Sequence, residues 1–277
     1  PGNYGLLHVS GDDPDTAAAE GARPGDVISF KLWSVAQQKE YKVETTVVTG
    51  SLAWADRAVS NVNLNGVEQV RIPLQAGWNL VSFPVAKVWH VGAQPTVPVP
   101  AGVVYQPVTS IKDVFASIEG KYALVRAFDV DGAKTFDPAI PTIFNDLNYV
   151  AGGYGYWIRM NQACELVING PPLPSAATLN MHASWNLVGY WGLSARHVTD
   201  EQPVGPFPEG TGFVKINSIL DIFGELGGGI QQVRSFDKNG AHVFDPTLPP
   251  YINDLNYMGP GFGYWIKLSQ AGQLDYR

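Results

Sequence analysis

The feature that most narrows the fold of this chain is a duplication. Trp78-Asn79-Leu80-Val81 returns as Trp185-Asn186-Leu187-Val188, and Gly155-Tyr156-Trp157-Ile158 returns as Gly263-Tyr264-Trp265-Ile266. The offset is 107 residues at the first motif and 108 at the second, so the copies differ in length by about one residue between the motifs. A repeated unit of this size is a building block of surface, adhesive or structural proteins, and it must be recognised before any other pattern is read. Three segments follow: residues 1–70 outside the repeat, 71–174 as the first copy and 175–277 as the second. The junction, Asn169-Gly170-Pro171-Pro172-Leu173-Pro174, is proline-rich and stiff, because proline locks φ and favours extended chain.

Inside each copy the periodicity is that of strands. From Ala76 to Val85, Trp78, Leu80 and Ser82 alternate with Asn79, Val81 and Phe83. Runs 123–128 and 232–236 have the same character, and each is followed by Asx-Gly, Asp131-Gly132 or Asn239-Gly240. Asx-Gly between apolar runs predicts a hairpin with a type I′ turn. One short helix per copy is also expected: Ile111, Val114, Phe115 and Ile118, like Ile219, Ile222, Phe223 and Leu226, form one apolar stripe. Ser110 with Asp113, and Ser218 with Asp221, stand where an N-cap and an acidic first turn belong.

The first 70 residues read as part of a β-sandwich, with strand-like runs over 4–9, 26–33 and 41–48 around the acidic loop Gly11-Asp12-Asp13-Pro14-Asp15-Thr16. Four or five strands are countable where a sandwich needs about seven. Either that count is wrong, or the missing strands come from upstream sequence or a neighbouring chain. The fold class is therefore mainly β: a β-sandwich-like N-terminal segment, incomplete on this count, followed by two homologous β-rich modules.

Composition excludes several functions. A net charge of -7, with no run of Lys or Arg, argues against a nucleic-acid partner. No stretch approaches the roughly 18 apolar residues that would span a bilayer, so no membrane insertion is expected. The single cysteine, Cys164, has no partner for an intrachain disulfide, and its counterpart is Gly272; it reads as a small buried residue. There is no Asn-x-Ser/Thr sequon, which disfavours a eukaryotic secreted glycoprotein.

Two candidate sites emerge. Asp129, Asp131 and Asp137, with Asp237 and Asp245 in the second copy, include an Asp-x-Asp-Gly fragment of a calcium loop, and alternate oxygen ligands suit Ca²⁺. The bidentate Glu of such a loop is missing, and the hairpin turn already accounts for Asp131-Gly132; no cofactor is otherwise expected. Asp12, Asp13 and Asp15 form a third acidic cluster. The second candidate is aromatic: Trp78, Trp157, Trp185 and Trp265 recur in register and are assigned to the core. The non-repeated Trp89 and Trp191, with Trp33 and Trp54, become candidates for stacking on sugar rings. Tyr154 with Tyr156, and Phe262 with Tyr264, are expected on the outer face of their strand.

No catalytic constellation assembles. His90 and His197 occupy equivalent positions, which points to structure. No nucleophile elbow, metalloprotease helix or phosphate loop is present. Gly227-Gly228-Gly229 reads as a helix stop. A glycoside hydrolase would need two facing carboxylates, which the sequence does not display.

Gly77-Trp78-Asn79-Leu80-Val81-Ser82-Phe83-Pro84, closed about 70 residues later by Gly153-Tyr154-Gly155-Tyr156-Trp157-Ile158, resembles the Gly-Trp-Asn-Leu modules of large secreted and cell-surface proteins of bacteria and archaea. The second copy matches with Ser184 for the first Gly and Gly189-Tyr190 for Ser-Phe, and Gly132 to Pro138 has the same look. The run 4–14, with 21–26, is similarly like the latter part of a surface-protein β-sandwich module. The resemblance implies extracellular display, adhesion or scaffold duty, self-association or contact with other surface proteins, and no catalytic residues. The expected function is thus a non-enzymatic structural or adhesive protein of a cell-surface assembly or filament. The alternative is a carbohydrate-binding module with polysaccharide as partner.

Overall fold

The computed structural model describes residues 5–34 and 39–276, and it is mainly β. The chain divides into two compact units, Pro1–Glu68 and Gln69–Arg277.

The first unit holds β1 (Lys31–Ser34), β2 (Lys39–Thr49) and β3 (Asn61–Val67) in one antiparallel sheet of order β1-β2-β3. The expected strand over 4–9 is irregular in its described residues, Tyr4 lying outside them, and single bridges join Gly11 to Ala22 and Val27 to Ala53. Short polar links hold the loops: the Asp12 carboxylate accepts from Arg23 Nε at 2.8 Å and from Glu20 N, Asp13 from Asp15 N, and the Trp54 indole donates to Val9 O. The acidic loop is therefore engaged in its own turns. No apolar side chain described in this unit is buried.

The second unit contains the repeats. The first comprises β4 (Gln69–Leu74), β5 (Gly77–Ser82), β6 (Lys87–His90), β7 (Val104–Pro107), β8 (Tyr122–Asp129), β9 (Gly132–Phe136), β10 (Tyr149–Ala151), β11 (Gly155–Met160) and β12 (Cys164–Asn169). The second comprises β13 (Leu179–Met181), β14 (Ser184–Gly189), β15 (Ser194–His197), β16 (Gly212–Lys215), β17 (Ile230–Asp237), β18 (Gly240–Phe244), β19 (Tyr257–Met258), β20 (Gly263–Leu268) and β21 (Gly272–Leu274). Each repeat builds a four-stranded antiparallel sheet, β5-β11-β8-β9 or β14-β20-β17-β18. Each adds a three-stranded sheet containing one parallel pair, β6 with β7 or β15 with β16, and a terminal pair, β4 with β12 or β13 with β21.

Local chemistry explains why both copies fold alike. The apolar stripes are buried as expected, and both Ser/Asp pairs form capping boxes. The segments are short 3-10 turns, however, at Ile111–Asp113, Ala116–Ile118, Ile219–Ile222 and Gly224–Gly229. Closing an α-helical nucleus is unfavourable over so few residues, and tertiary burial of the stripe is satisfied by tighter turns.

Both hairpins form, but not through type I′ turns. Asp129 pairs with Gly132 and Asp237 with Gly240. Among the described residues only Arg57 and Ser184 are non-glycine positions with positive φ. The left-handed step therefore falls on Gly132 (φ 106°) and Gly240 (φ 117°), after the turn, while Asp129 and Asp237 accept from the N–H two residues on. The proline-rich junction packs on the first repeat: Ala86 N donates to Pro171 O, and Leu173 N to Pro84 O.

Candidate functional site

The outer faces of the two four-stranded sheets meet each other, and the repeated motifs supply the contacts. Phe128 of the first repeat packs on Trp265 of the second at 5.0 Å, and Phe236 of the second on Trp157 of the first at 5.1 Å. Phe128 and Phe236 are equivalent positions, as are Trp157 and Trp265, so the contact is reciprocal. Hydrogen bonds obey the same exchange: Ser82 N donates to Gly261 O, and Gly189 N to Gly153 O. Bridges Val81–Phe262 and Tyr154–Val188 complete the pairing. A surface that contacts its own counterpart in this way is an isologous interface, here between two halves of one chain.

The motif residues now have individual roles. Gly155 and Gly263 sit where a Cβ would lie 2.8 Å from Leu187 Cδ1 or from Val81 O, so the approach of the halves requires glycine. Asn79 clamps the corner between β4 and β5, accepting from Gln75 N and donating to Gln75 O. Asn186 does the same at His182. Tyr156 and Tyr264 are buried, and their hydroxyls accept from Ala151 N and Gly259 N. Trp78 and Trp185 stand edge-on to Trp157 and Trp265, with Arg126 and Arg234 over their rings.

The tryptophan assignments are the reverse of the expectation. The four recurring indoles are half-buried at the seam, whereas Trp89 and Trp191 are 6% and 2% exposed. Neither of the latter can offer a flat face to a sugar: β6 carries Trp89 into its own sheet, and Trp191 packs 4.4 Å from Tyr276. Tyr154, Tyr156, Phe262 and Tyr264 are also buried, not on an outer face. Among the described tryptophans Trp33, at 57% exposure, is the large indole left open.

The five candidate calcium ligands do not converge. Asp129, at the turn end of its hairpin, accepts from Asp131 N and from the Tyr149 hydroxyl at 2.8 Å each. Asp137 follows Phe136, which pairs with Val125 at the open end, roughly 13 Å of strand away; it accepts from Ala139 N. Asp245 accepts from Thr247 N and Oγ1. No group of three His, Cys, Asp or Glu able to hold a metal occurs among the described residues.

Asp237 belongs to a denser cluster that sequence reading missed. Its carboxylate accepts from Asn239 N, from the Tyr257 hydroxyl at 2.9 Å and from His242 Nε2 at 3.0 Å, while His242 Nδ1 lies 3.2 Å from Asp254. Burial alone would raise the Asp237 carboxyl, but the hydrogen bonds from His242, Asn239 and Tyr257 outweigh it and hold it below the usual carboxylate range. Burial likewise opposes charge on His242, and the two flanking aspartates reverse that and raise it. Lys134 stands at the place of His242 in the first repeat. Burial pushes the Tyr149 and Tyr257 hydroxyls far up, so both remain neutral donors. Cys164 is half-buried against the core, not buried as expected, and partial burial raises its thiol.

His90 and His197 serve structure. In each ring Nδ1 is 3.0 Å from a carbonyl, of Gly92 or Thr199, and must be the protonated nitrogen because a carbonyl only accepts. A cleft of about 180 Å³ opens beside the seam, lined by Trp78, Leu80, Phe236, Phe262 and others. Asp237 is its one acidic lining residue, so the cleft lacks the facing carboxylate pair of sugar hydrolysis.

A second surface recurs in both repeats. Asn145 accepts from Asp137 N at 2.7 Å and donates to Asp137 O, and Asn253 repeats this with Asp245. These clamps close compact turns, Thr142–Phe144 and Pro250–Ile252. The turns project Ile143 and Phe144, or Tyr251 and Ile252, with Ile143 85% and Tyr251 86% exposed. Among the described residues no helix is long and apolar enough to cross a membrane. Compared with protein-family models, curated proteins and solved structures, the chain matches none.

Proposed function

We propose that the chain is a non-enzymatic structural or adhesive element of an extracellular or cell-surface assembly of a bacterium or archaeon, built by self-association. The observation that carries this reading is the contrast in burial between the two units. Gln69–Arg277 buries a continuous core, whereas no described apolar side chain of the first unit is buried and Leu6, Leu7, Val27, Trp33 and Val59 stand open. Exposed apolar side chains in such number favour burial against another chain. The duplicated block supports the same duty, since reciprocal packing of two sheets makes a stiff body suited to spacing or display. The resemblance to Gly-Trp-Asn-Leu modules of surface proteins agrees with it.

The test is sedimentation velocity of the full chain over a wide concentration range, with electron microscopy of the fastest fraction. Concentration-dependent oligomers or filaments are expected. A monodisperse monomer throughout would overturn the proposal.

A further inference from the structure

The cleft beside the seam has hydrogen-bonding capacity that the protein leaves unused. Its walls come from both repeats, the β4–β5 corner with Trp78 from the first and Phe236, Asp237, Lys238 and Phe262 from the second, so it exists only where the halves pack. Gln75 commits its backbone N–H and carbonyl to Asn79, while its side-chain amide has no partner among the described residues. The Lys238 ammonium, on an exposed residue at the hairpin tip, has none either. Asp237, whose side chain is 5% exposed, accepts from Asn239, His242 and Tyr257. A carboxylate can accept about four hydrogen bonds, so one position is left.

These groups specify a ligand. A cation and an anion in the same cleft oppose a charged guest of either sign. The mixture of free donors and acceptors is matched by hydroxyls, each of which does both. Trp78, Phe236 and Phe262 supply apolar wall for C–H groups. The volume of about 180 Å³ falls below the roughly 300–1,000 Å³ of sites for drug-sized molecules, which leaves room for one ring. We propose that the cleft binds a single neutral sugar ring of a glycan, with Lys238 and Gln75 donating to its hydroxyls and Asp237 accepting. The ring is held and not cleaved, because Asp237 has no facing carboxylate there. The duplication supplies a contrast: at the repeat offset Lys238 corresponds to Val130 and Gln75 to His182, so the mirror position lacks the free ammonium and the free amide. The site is a property separate from self-association.

The experiment titrates the full chain with the methyl glycosides of glucose, galactose, mannose and N-acetylglucosamine, and with glucuronate and glucosamine as charged counterparts, by ligand-detected saturation-transfer NMR. At least one neutral glycoside should bind with Kd on the order of 1 mM, and the charged counterparts should bind more weakly. Lys238→Val and Gln75→His, which install the residues of the opposite repeat, should each weaken binding roughly tenfold, about the worth of one hydrogen bond. Lys238 is exposed and Gln75 holds the corner through its backbone, so both variants should keep the wild-type urea midpoint. Absence of binding by every glycoside, tighter binding of a charged sugar, or binding that both variants leave unchanged overturns the assignment. None of these outcomes bears on sedimentation, so the functional reading stands or falls separately.

Discussion

The two repeats of the second unit reach one fold and one interface with different residues, and the differences mark which positions the interface constrains. Gly155 and Gly263, the seam tryptophans, the corner asparagines and the buried tyrosines are identical. Elsewhere the copies diverge: Gly152 against Pro260, Gly77 against Ser184, Lys134 against His242. The glycines and tryptophans of the seam keep their residue, whereas Ser82 against Gly189 and Tyr154 against Phe262 meet the other half through backbone groups and differ.

The largest effect that would break the equivalence is Gly152→Ala. A Cβ there would lie 1.7 Å from Val85 O, a backbone atom that cannot step aside, although the second repeat holds Pro260 at the same place. A loss of about 3 kcal/mol is expected in urea unfolding; an unchanged midpoint would show that the first repeat can adopt the geometry of the second.

Next comes the seam. Trp157→Ala and Phe236→Ala, alone and together, should give a coupling energy of about 1 kcal/mol in a double-mutant cycle, since the rings lie 5.1 Å apart across the halves. The mirror pair Phe128 and Trp265 should give a similar value.

A smaller test exchanges the motif's first residue. Gly77 has φ 89°, and its counterpart Ser184 is held at φ 77°, where a side chain is strained. Ser184→Gly should stabilise by about 0.5–1 kcal/mol and Gly77→Ser should destabilise by a similar amount, because nothing else lies within 4 Å of a Cβ at Gly77. A Ser184→Gly variant no more stable than the wild type would mean the strain is not what separates the copies.

The smallest effect is in pH. His242 is raised in the folded state, so its contribution is complete below its unfolded value of 6.5 and is lost as pH rises through the higher folded value. Asp237 is lowered, so its contribution is present above 3.8 and is lost as pH falls through the lower folded value. His242→Lys, which installs the first repeat's residue, should flatten the alkaline side of the stability profile, measured by chemical unfolding from pH 5 to 9. A profile of unchanged slope would exclude His242 as its source.

Much of this architecture was legible because it is locally encoded. The hairpins, the capping boxes and the buried stripes each depend on a few neighbouring residues, and each formed where the pattern placed it. The tryptophans were misread because alternation reveals that a strand has two faces and not what covers each. Trp78 and Trp157 share a face with Arg126, a mixture that suits a half-covered seam better than a core, and this was the available signal. The His242 cluster was invisible for a different reason: Asp237, His242, Asp254 and Tyr257 meet only once β17, β18 and the following loop have packed. The calcium reading failed on hairpin geometry, which puts Asp129 and Asp137 at opposite ends of one ladder.

If the repeated motifs serve to pack the two halves against each other, hydrogen exchange on a Gly263→Val variant should register it in both. The new side chain would press on Val81 O and Leu80 of the other repeat. Faster exchange is predicted in β5 and β11 as well as in β14 and β20. Loss of protection confined to the second repeat would contradict the claim.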